Sequence, residues 1–394
     1  MLIGLIGKPN CGKSTFFKAA TMAEVLIANY PFATIKPNHG VGYVKVPCID
    51  THFKVQCNPR TGFCINHVRF VPVELLDVAG LVPGAHEGKG LGNQFLDDLR
   101  QADAFLQVID MSGRTDSEGK PTENYDITKD ITFLEEELDL WLLGMMDKAW
   151  RGFARKTQAE KQPLADAIVK QFSGLKVNYH QVKTAILKSG LDPEKASDWT
   201  RDNLYKFVQI LRKMSKPMAI VANKCDTPKA AENLKLLKGK FPDLLVIPSS
   251  AEAEVFLRGL AKEGVISYIP GEDHFEVKKP EALDDKQKMG LKLIDEKIFK
   301  VYGSTGVQNA LDKAVFELLK YIAIFPAGSK LADSKGNILP DCYLLPDGST
   351  ALDFAYSLHT DLGKQFIRAI DAKTKMVVGK DHKLKHRDGI EIVT

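Results

Sequence analysis

Eight consecutive residues near the amino terminus, GKPNCGKS from Gly7 to Ser14, constrain the fold more than any other stretch of this 394-residue chain. The glycines let the backbone curl tightly, so that successive N–H groups point inward at phosphate oxygens. Lys13 then reaches the outer phosphates, and the Ser14 hydroxyl stands where a Mg2+ ligand is needed. The flanks supply the context. LIGLI before the loop reads as a short buried strand, and KSTFFKAATMA after it reads as a helix with its N-terminus at the phosphates. This predicts an α/β fold with a doubly wound P-loop domain.

Four further motifs follow. NYPFATIKPN supplies Thr34, in a segment that Pro31 and Pro37 keep out of helix; a threonine here can close over Mg2+ while the last phosphate is present. RFVPVELLDVAG reads as a strand delivering Asp77 toward the metal and the Gly80 N–H to the terminal phosphate. MAIVANKCD is a buried strand ending in Asn223, Lys224 and Asp226. An aspartate there can accept both the N1–H and the exocyclic amine of guanine, a donor pair that adenine lacks. LLVIPSSA ends at Ser250 and Ala251, where a backbone N–H can meet the guanine carbonyl. Asn10, Cys11, Gly12 and Thr15 complete the nucleotide contacts. The predicted ligands are GTP or GDP and Mg2+. Lys13, Thr34, Gly80 and Asn10 are the candidate catalytic residues, with Ser14, Thr34 and Asp77 at the metal.

NYPFATIKPN and DVAGLVPGAHEGKGLGNQFL resemble the switch regions of the Obg family of translation-factor-related GTPases, most closely its YchF branch. The resemblance extends over nearly the whole chain, including a helical insertion and a C-terminal domain. It implies a nucleotide switch acting with the ribosome or translation-related RNA. Many YchF members have a degraded base-recognition motif and prefer ATP, whereas NKCD is intact here, so the expectation is GTP.

The family is grouped with GTPases that carry a hydrophobic residue where others place a water-orienting glutamine, and Leu81 matches that pattern. A leucine side chain cannot hydrogen-bond to water, so intrinsic hydrolysis should be slow. Two residues could compensate. In some related GTPases an asparagine at the Asn10 position helps hold K+ against the phosphates. His86, in the glycine-rich stretch GLVPGAHEGKGLG, could anchor the water or stay a solvated loop residue. Gly80, Gly84, Gly88, Gly90 and Gly92 suggest a loop that orders on binding.

Between the strand AFLQVID and Met218 lie about a hundred residues, more than a loop needs. Ile127, Ile131, Leu134, Leu138, Trp141 and Met145 recur at spacings of three and four, one face of a helix. An inserted helical arm is expected. Its Lys148, Arg151, Arg155, Lys156 and Lys161 could meet ribosomal RNA or form a solvated face. From about Phe325 the pattern becomes strands and turns, with a helix whose buried stripe is Ala351, Phe354, Ala355 and Leu358. This resembles the TGS domain, a β-grasp module that contacts RNA or ribosomal partners in other proteins. Lys380, Lys383, Lys385, His386 and Arg387 could face phosphate there, or simply charge an edge. The expected domains are 1–114 with 216–275 (P-loop GTPase), 115–215 (inserted helices), 276–322 (helical connection) and 323–394 (TGS).

CIDTHFKVQCNPRTGFCINH holds Cys48, His52, Cys57, Cys64 and His67. These could collect zinc, but the spacings lack the usual close cysteine pair. The preferred reading is a β-hairpin turning at NPRTG, with Cys57 and Cys64 on its arms. The six cysteines are scattered, which suits a reducing cytosol. No run is long enough to span a bilayer, and LIGLIGKPN leaves no room for a leader. A cytoplasmic monomer without DNA specificity is expected; the net charge of +4 permits an acidic partner without announcing one. A nucleotide-gated RNA-binding adaptor with incidental hydrolysis is the alternative. A metabolic P-loop kinase has no reason to carry NKCD.

Overall fold

The structure, a computed structural model, describes residues 1–21, 38–78, 80, 84, 100–328, 331–333 and 335–394. Thr34, Leu81, His86, Gly88, Gly90 and Gly92 lie outside the described residues. The described residues fall into two compact units. One gathers Met1–Ala19, Asn38–Gly40 and Glu74–Ala310; the other contains Val41–Val73 and Leu311–Thr394.

The larger sheet comprises β1 (Leu2–Ile6), β2 (His39–Pro47), β3 (Phe63–Ile65), β4 (Val68–Asp77), β5 (Ala104–Asp110), β6 (Met218–Asn223) and β7 (Val246–Pro248). Its order is β2-β4-β1-β5-β6-β7, with β3 added on β4. β1 pairs in parallel with both β4 and β5. The chain therefore crosses from one side of β1 to the other, and the crevice opens at the carboxyl end of β1, where the GKPNCGKS loop begins. Every residue of β1, β5 and β6 is buried, as expected of central parallel strands covered on both faces.

The insertion is helical and packs within the first unit. Its longest helix, Thr128–Ala159, buries Ile131, Leu134, Leu138, Trp141, Met146, Trp150 and Ala154. Met146 is fully buried and Met145 only partly, because a 3.6-residue period drifts across a helix of 32 residues. Helices Leu164–Gln171, Tyr179–Ser189 and Arg201–Ser215 cover the stripe, the last two started by capping boxes at Asn178 and Thr200. Trp150 stacks on Trp199 with ring centroids 5.2 Å apart, and its Nε1 donates to the Ala196 carbonyl at 3.0 Å. The helices Ala251–Lys262 and Asp285–Ile294 follow, with the short pair β8 (Ile266–Ser267) and β9 (Glu276–Val277) between them.

In the second unit, β10 (Tyr321–Pro326), β11 (Tyr343–Pro346), β12 (Arg368–Asp371), β13 (Val377–Val378) and β14 (Gly389–Val393) form a sheet in the order β11-β10-β14-β12-β13. Only the β10–β14 pair is parallel. The helix Ala351–Leu358 lays Ala351, Phe354 and Ala355 on the core with Ile322, Ile324, Ala369, Leu384 and Ile390. A mixed sheet crossed by one capped helix is the β-grasp arrangement. The helix stops at His359, whose extended backbone and side chain cap a second short helix, Thr360–Lys364.

Two boundaries differ from the sequence reading. Val41–Val73 groups with the C-terminal residues rather than with the nucleotide domain. The hairpin turns at Asn66–His67 between β3 and β4, not at NPRTG. Both turn residues are left-handed, with φ of 48° and 62°. A two-residue turn of this hand matches the twist of its strands.

Candidate functional site

Every described nucleotide-motif residue sits at the carboxyl ends of β1, β4, β6 and β7. The loop after β1 enters the helix Lys13–Thr21, whose first turn is closed by the Phe16 N–H donating to Gly12 O at 2.9 Å. Lys13 pairs with Asp77 at the end of β4, and the Ser14 hydroxyl donates to the other oxygen of the same carboxylate at 3.0 Å. The P-loop cation and two of the three oxygen groups expected at Mg2+ are thus gathered at one point; Thr34, the third, lies outside the described residues. Gly80 lies beside the loop: a Cβ added there would come within 3.2 Å of Pro9.

The base-reading side is joined to the P-loop by one buried amide. Asn223 Nδ2 donates to Cys11 O at 3.1 Å, and Asn223 Oδ1 accepts the Ala251 N–H at 3.1 Å. Gly12 must be glycine here, since its φ is +92° and a Cβ would lie 2.3 Å from Asn223 Nδ2. Lys224 Nζ donates to Asp110 at 2.8 Å and to Asn10 O at 3.2 Å. Burial raises the Asp110 pKa, but Lys224 and Ser112 outweigh it and hold the carboxyl below its usual range. Gly12, Thr15, Asn223, Lys224, Asp226, Ser250 and Ala251 line one cleft of about 120 Å³. Burial pushes the Cys11 thiol up to about 11 and the Cys225 thiol up to about 12, so both stay protonated at neutral pH.

Several supporting residues escaped the sequence reading. Lys8 is buried against Asp130 at 2.9 Å, donates to Thr115 O at 2.7 Å and lies 4.0 Å over the Tyr125 ring. Asn10 donates its side-chain amide to Gly119 O at 2.9 Å. The polar segment leading into the insertion therefore packs on the phosphate loop. Gly84 donates its N–H to Glu137 of the long helix at 2.6 Å.

Behind the base loop, Ser250 N–H donates to Thr305 O at 2.8 Å. Gly306 there has φ +81°, and a Cβ would lie 1.8 Å from Pro248 O. Fully buried Glu254 receives Arg258 Nε at 2.6 Å, Tyr268 Oη at 2.7 Å and Thr305 Oγ1 at 2.5 Å. Tyr302 Oη donates to Cys225 O at 3.2 Å. The GSTG run at Gly303–Gly306 was the available signal, a turn between two helical patterns.

The basic clusters divide. Lys148, Arg151, Arg155, Lys156 and Lys161 are exposed, as are Lys380, Lys383 and Lys385. His386, also exposed, accepts the Ala323 N–H at 3.2 Å, and Arg387 donates to Pro47 O at 2.8 Å. Among the described residues, no helix is long and apolar enough to cross a membrane.

Three family models match the chain: the 50S ribosome-binding GTPase over residues 2–143, the Obg-like GTPase YGR210-like, G4 motif-containing domain over 221–328, and the TGS domain over 322–394. The GTP-binding protein MJ1332 of Methanocaldococcus jannaschii is 48% identical over 395 residues, covering 100% of this chain and 99% of the relative. The crystal structure of a GTP binding protein from Pyrococcus horikoshii superposes with a TM-score of 0.81 at 38% identity, over 100% of both chains. The ribosome-binding ATPase YchF of Buchnera aphidicola (strain APS) is 28% identical, covering 93% of this chain and 86% of the relative. The chain belongs to the Obg-like GTPase family, in its YchF-like branch, and carries a C-terminal TGS domain.

Proposed function

We propose that this chain is a GTP-binding switch that hydrolyses GTP slowly and acts with the ribosome or translation-related RNA. The observation that carries the base choice is the Asn223 bridge, which ties the P-loop to the Ser250–Ala251 turn and leaves exposed Asp226 lining the adjoining cleft. An aspartate in that position accepts two donors from guanine, and adenine, with an acceptor at N1, lacks that donor pair.

The remaining roles follow from the donor set. Ser14 and Thr34 would hold Mg2+, with Asp77 behind them; hard oxygens suit that ion, which would neutralise charge on the phosphates. Lys13 would exchange Asp77 for a phosphate oxygen, and the Gly80 N–H would meet the terminal phosphate. Asn10 would help K+ take the place of an arginine finger, since Leu81 cannot position water. The exposed lysines of the TGS domain and the insertion would supply phosphate contacts to RNA.

The test is titration of nucleotide-free protein with fluorescent GTP and ATP analogues, beside Asp226→Asn. Tight GTP binding, weakened at least about 100-fold by the substitution, supports the reading. Equal or preferred binding of ATP overturns it and places the chain functionally with the relatives named ATPases. Equal turnover in K+ and Na+ would remove Asn10 from the mechanism.

A further inference from the structure

The second unit contains a group of side chains that the nucleotide reading does not use. Cys48, Asp50, Cys57 and Cys64 each offer a ligand atom, and these atoms lie within 4.8 Å of one another. Cys48 follows β2, Asp50 opens the helical turn Asp50–Phe53, Cys57 lies in the loop beyond it and Cys64 is on β3. The spacing in the chain is irregular, but the short helix and the Asn66–His67 turn fold all four inward.

We propose that these four residues bind one Zn2+ ion. The distances are those of a coordination shell. A tetrahedral site with metal–sulfur bonds of about 2.3 Å spaces its sulfurs about 3.8 Å apart. Cys48 Sγ and Cys57 Sγ are 3.6 Å apart, and Cys64 Sγ is 4.0 Å from Asp50 Oδ2. Thiol pairs make weak hydrogen bonds and do not account for three thiols converging on a carboxylate. A Cys48–Cys57 disulfide would use two sulfurs and leave the approach of Cys64 to the carboxylate without a role.

Asp50 makes the stronger case. Its side chain is fully buried, and an ionised carboxylate among thiols is costly unless positive charge is supplied. The Cys57 N–H donates to Oδ2 at 3.1 Å, and His67 Nδ1 meets Oδ1 at 3.0 Å. His67 thus holds the carboxylate from behind, as groups around a metal ligand commonly do. Fully buried Arg69 places Nη1 3.7 Å from Cys57 Sγ and anchors itself on the carbonyls of Leu339 and Pro340 at 2.9 and 3.0 Å. Three thiolates and a carboxylate around a divalent ion leave two negative charges, and the Arg69 guanidinium beside Cys57 offsets one of them. Four protein ligands fill a tetrahedron, so the ion is structural. It pins the end of β2, the following loop and the β3–β4 hairpin together. His52, a sequence candidate, is exposed against the Phe53 ring and is not among the four.

Full-length protein purified under reducing conditions and dialysed against metal-free buffer should retain about one zinc per chain by plasma mass spectrometry. Cys48→Ser and Cys64→Ser should each lose it, and Cys342→Ser should keep it. His67→Ala should weaken affinity roughly ten- to a hundredfold, a positioning effect. Because a ligand variant can simply misfold, unaltered protein is also loaded with Co2+: strong visible bands with thiolate charge transfer support a tetrahedral sulfur-rich site. Metal-free protein with a Cys48–Cys57 disulfide, zinc retained in both serine variants, or octahedral cobalt spectra would each overturn the proposal. Stoichiometric iron instead of zinc would overturn the assignment of the ion.

Discussion

The nucleotide cleft and the cysteine cluster both concentrate polar groups beneath the surface, and they treat charge in opposite ways. Around the cleft, each of four acidic groups meets a cation from the chain itself: Asp77 has Lys13, Asp110 has Lys224, Asp130 has Lys8 and Glu254 has Arg258. These four carboxylates are paired within the chain, and on the proposed reading nucleotide and metal would exchange for contacts already present. Around Asp50, three thiols converge, with Arg69 beside Cys57 and His67 on the carboxylate. On the two proposed readings the difference is physical: a switch must be stable empty as well as filled, whereas a structural centre can depend on its ion.

The largest expected effect tests that contrast directly. Stripping metal with a strong chelator under reducing conditions should split calorimetric unfolding into two transitions, the second unit melting first, because binding energy at a structural zinc site is folding energy. GTP affinity measured in the same sample should hardly move. Gly306→Ala should do the reverse. Its added Cβ drives against Pro248 O and displaces the base loop, costing about 3 kcal/mol and lowering GTP affinity about 100-fold, while zinc content stays at its original value.

A smaller effect probes the exception within the first unit. Lys216 is buried and meets only carbonyls, Arg100 O at 2.8 Å and Ala102 O at 2.5 Å. Burial pushes its ammonium from 10.5 down to about 8, with Asp103 opposing the shift and Lys176 adding to it. Between those values the unfolded chain holds a proton that the folded chain has lost, so this group makes stability rise with pH across the window. Below about pH 8 the buried charge costs its full amount. Urea midpoints at pH 7.5 and 9.5 should show that rise in the native chain and a flatter profile in Lys216→Met. The smallest effect is a yardstick for the second unit: Thr350→Ala removes a capping box and should cost about 1 kcal/mol without changing zinc content.

The two regions also differed in how far they could be read. The cleft was legible because phosphate and base recognition use contiguous backbone: Gly12, Lys13 and Ser14 lie on one turn, and Asn223, Lys224 and Asp226 at one strand end. What completes it was not legible. Lys8 finds Asp130, and Ser250 finds Thr305, only after long stretches of chain have folded back. The cysteine segment was hard to read for the same reason. NPRTG carries familiar turn residues, yet the turn forms at Asn66–His67, and Asp50, unremarkable in sequence, lies among the cysteines.

Sequence alone determined what local chemistry can dictate: a glycine-rich cradle opening a helix, a base-reading strand end, the apolar stripe of the insertion and the capped helix of the TGS domain. Each depends on residues within a few positions of one another, where backbone geometry follows from residue type. Tertiary structure decided which charges neutralise one another, that Val41–Val73 belongs with the C-terminal residues, and that three separated cysteines and an aspartate share one point. Those outcomes depend on the pairing of distant segments, and spacing along the chain does not encode distance in space.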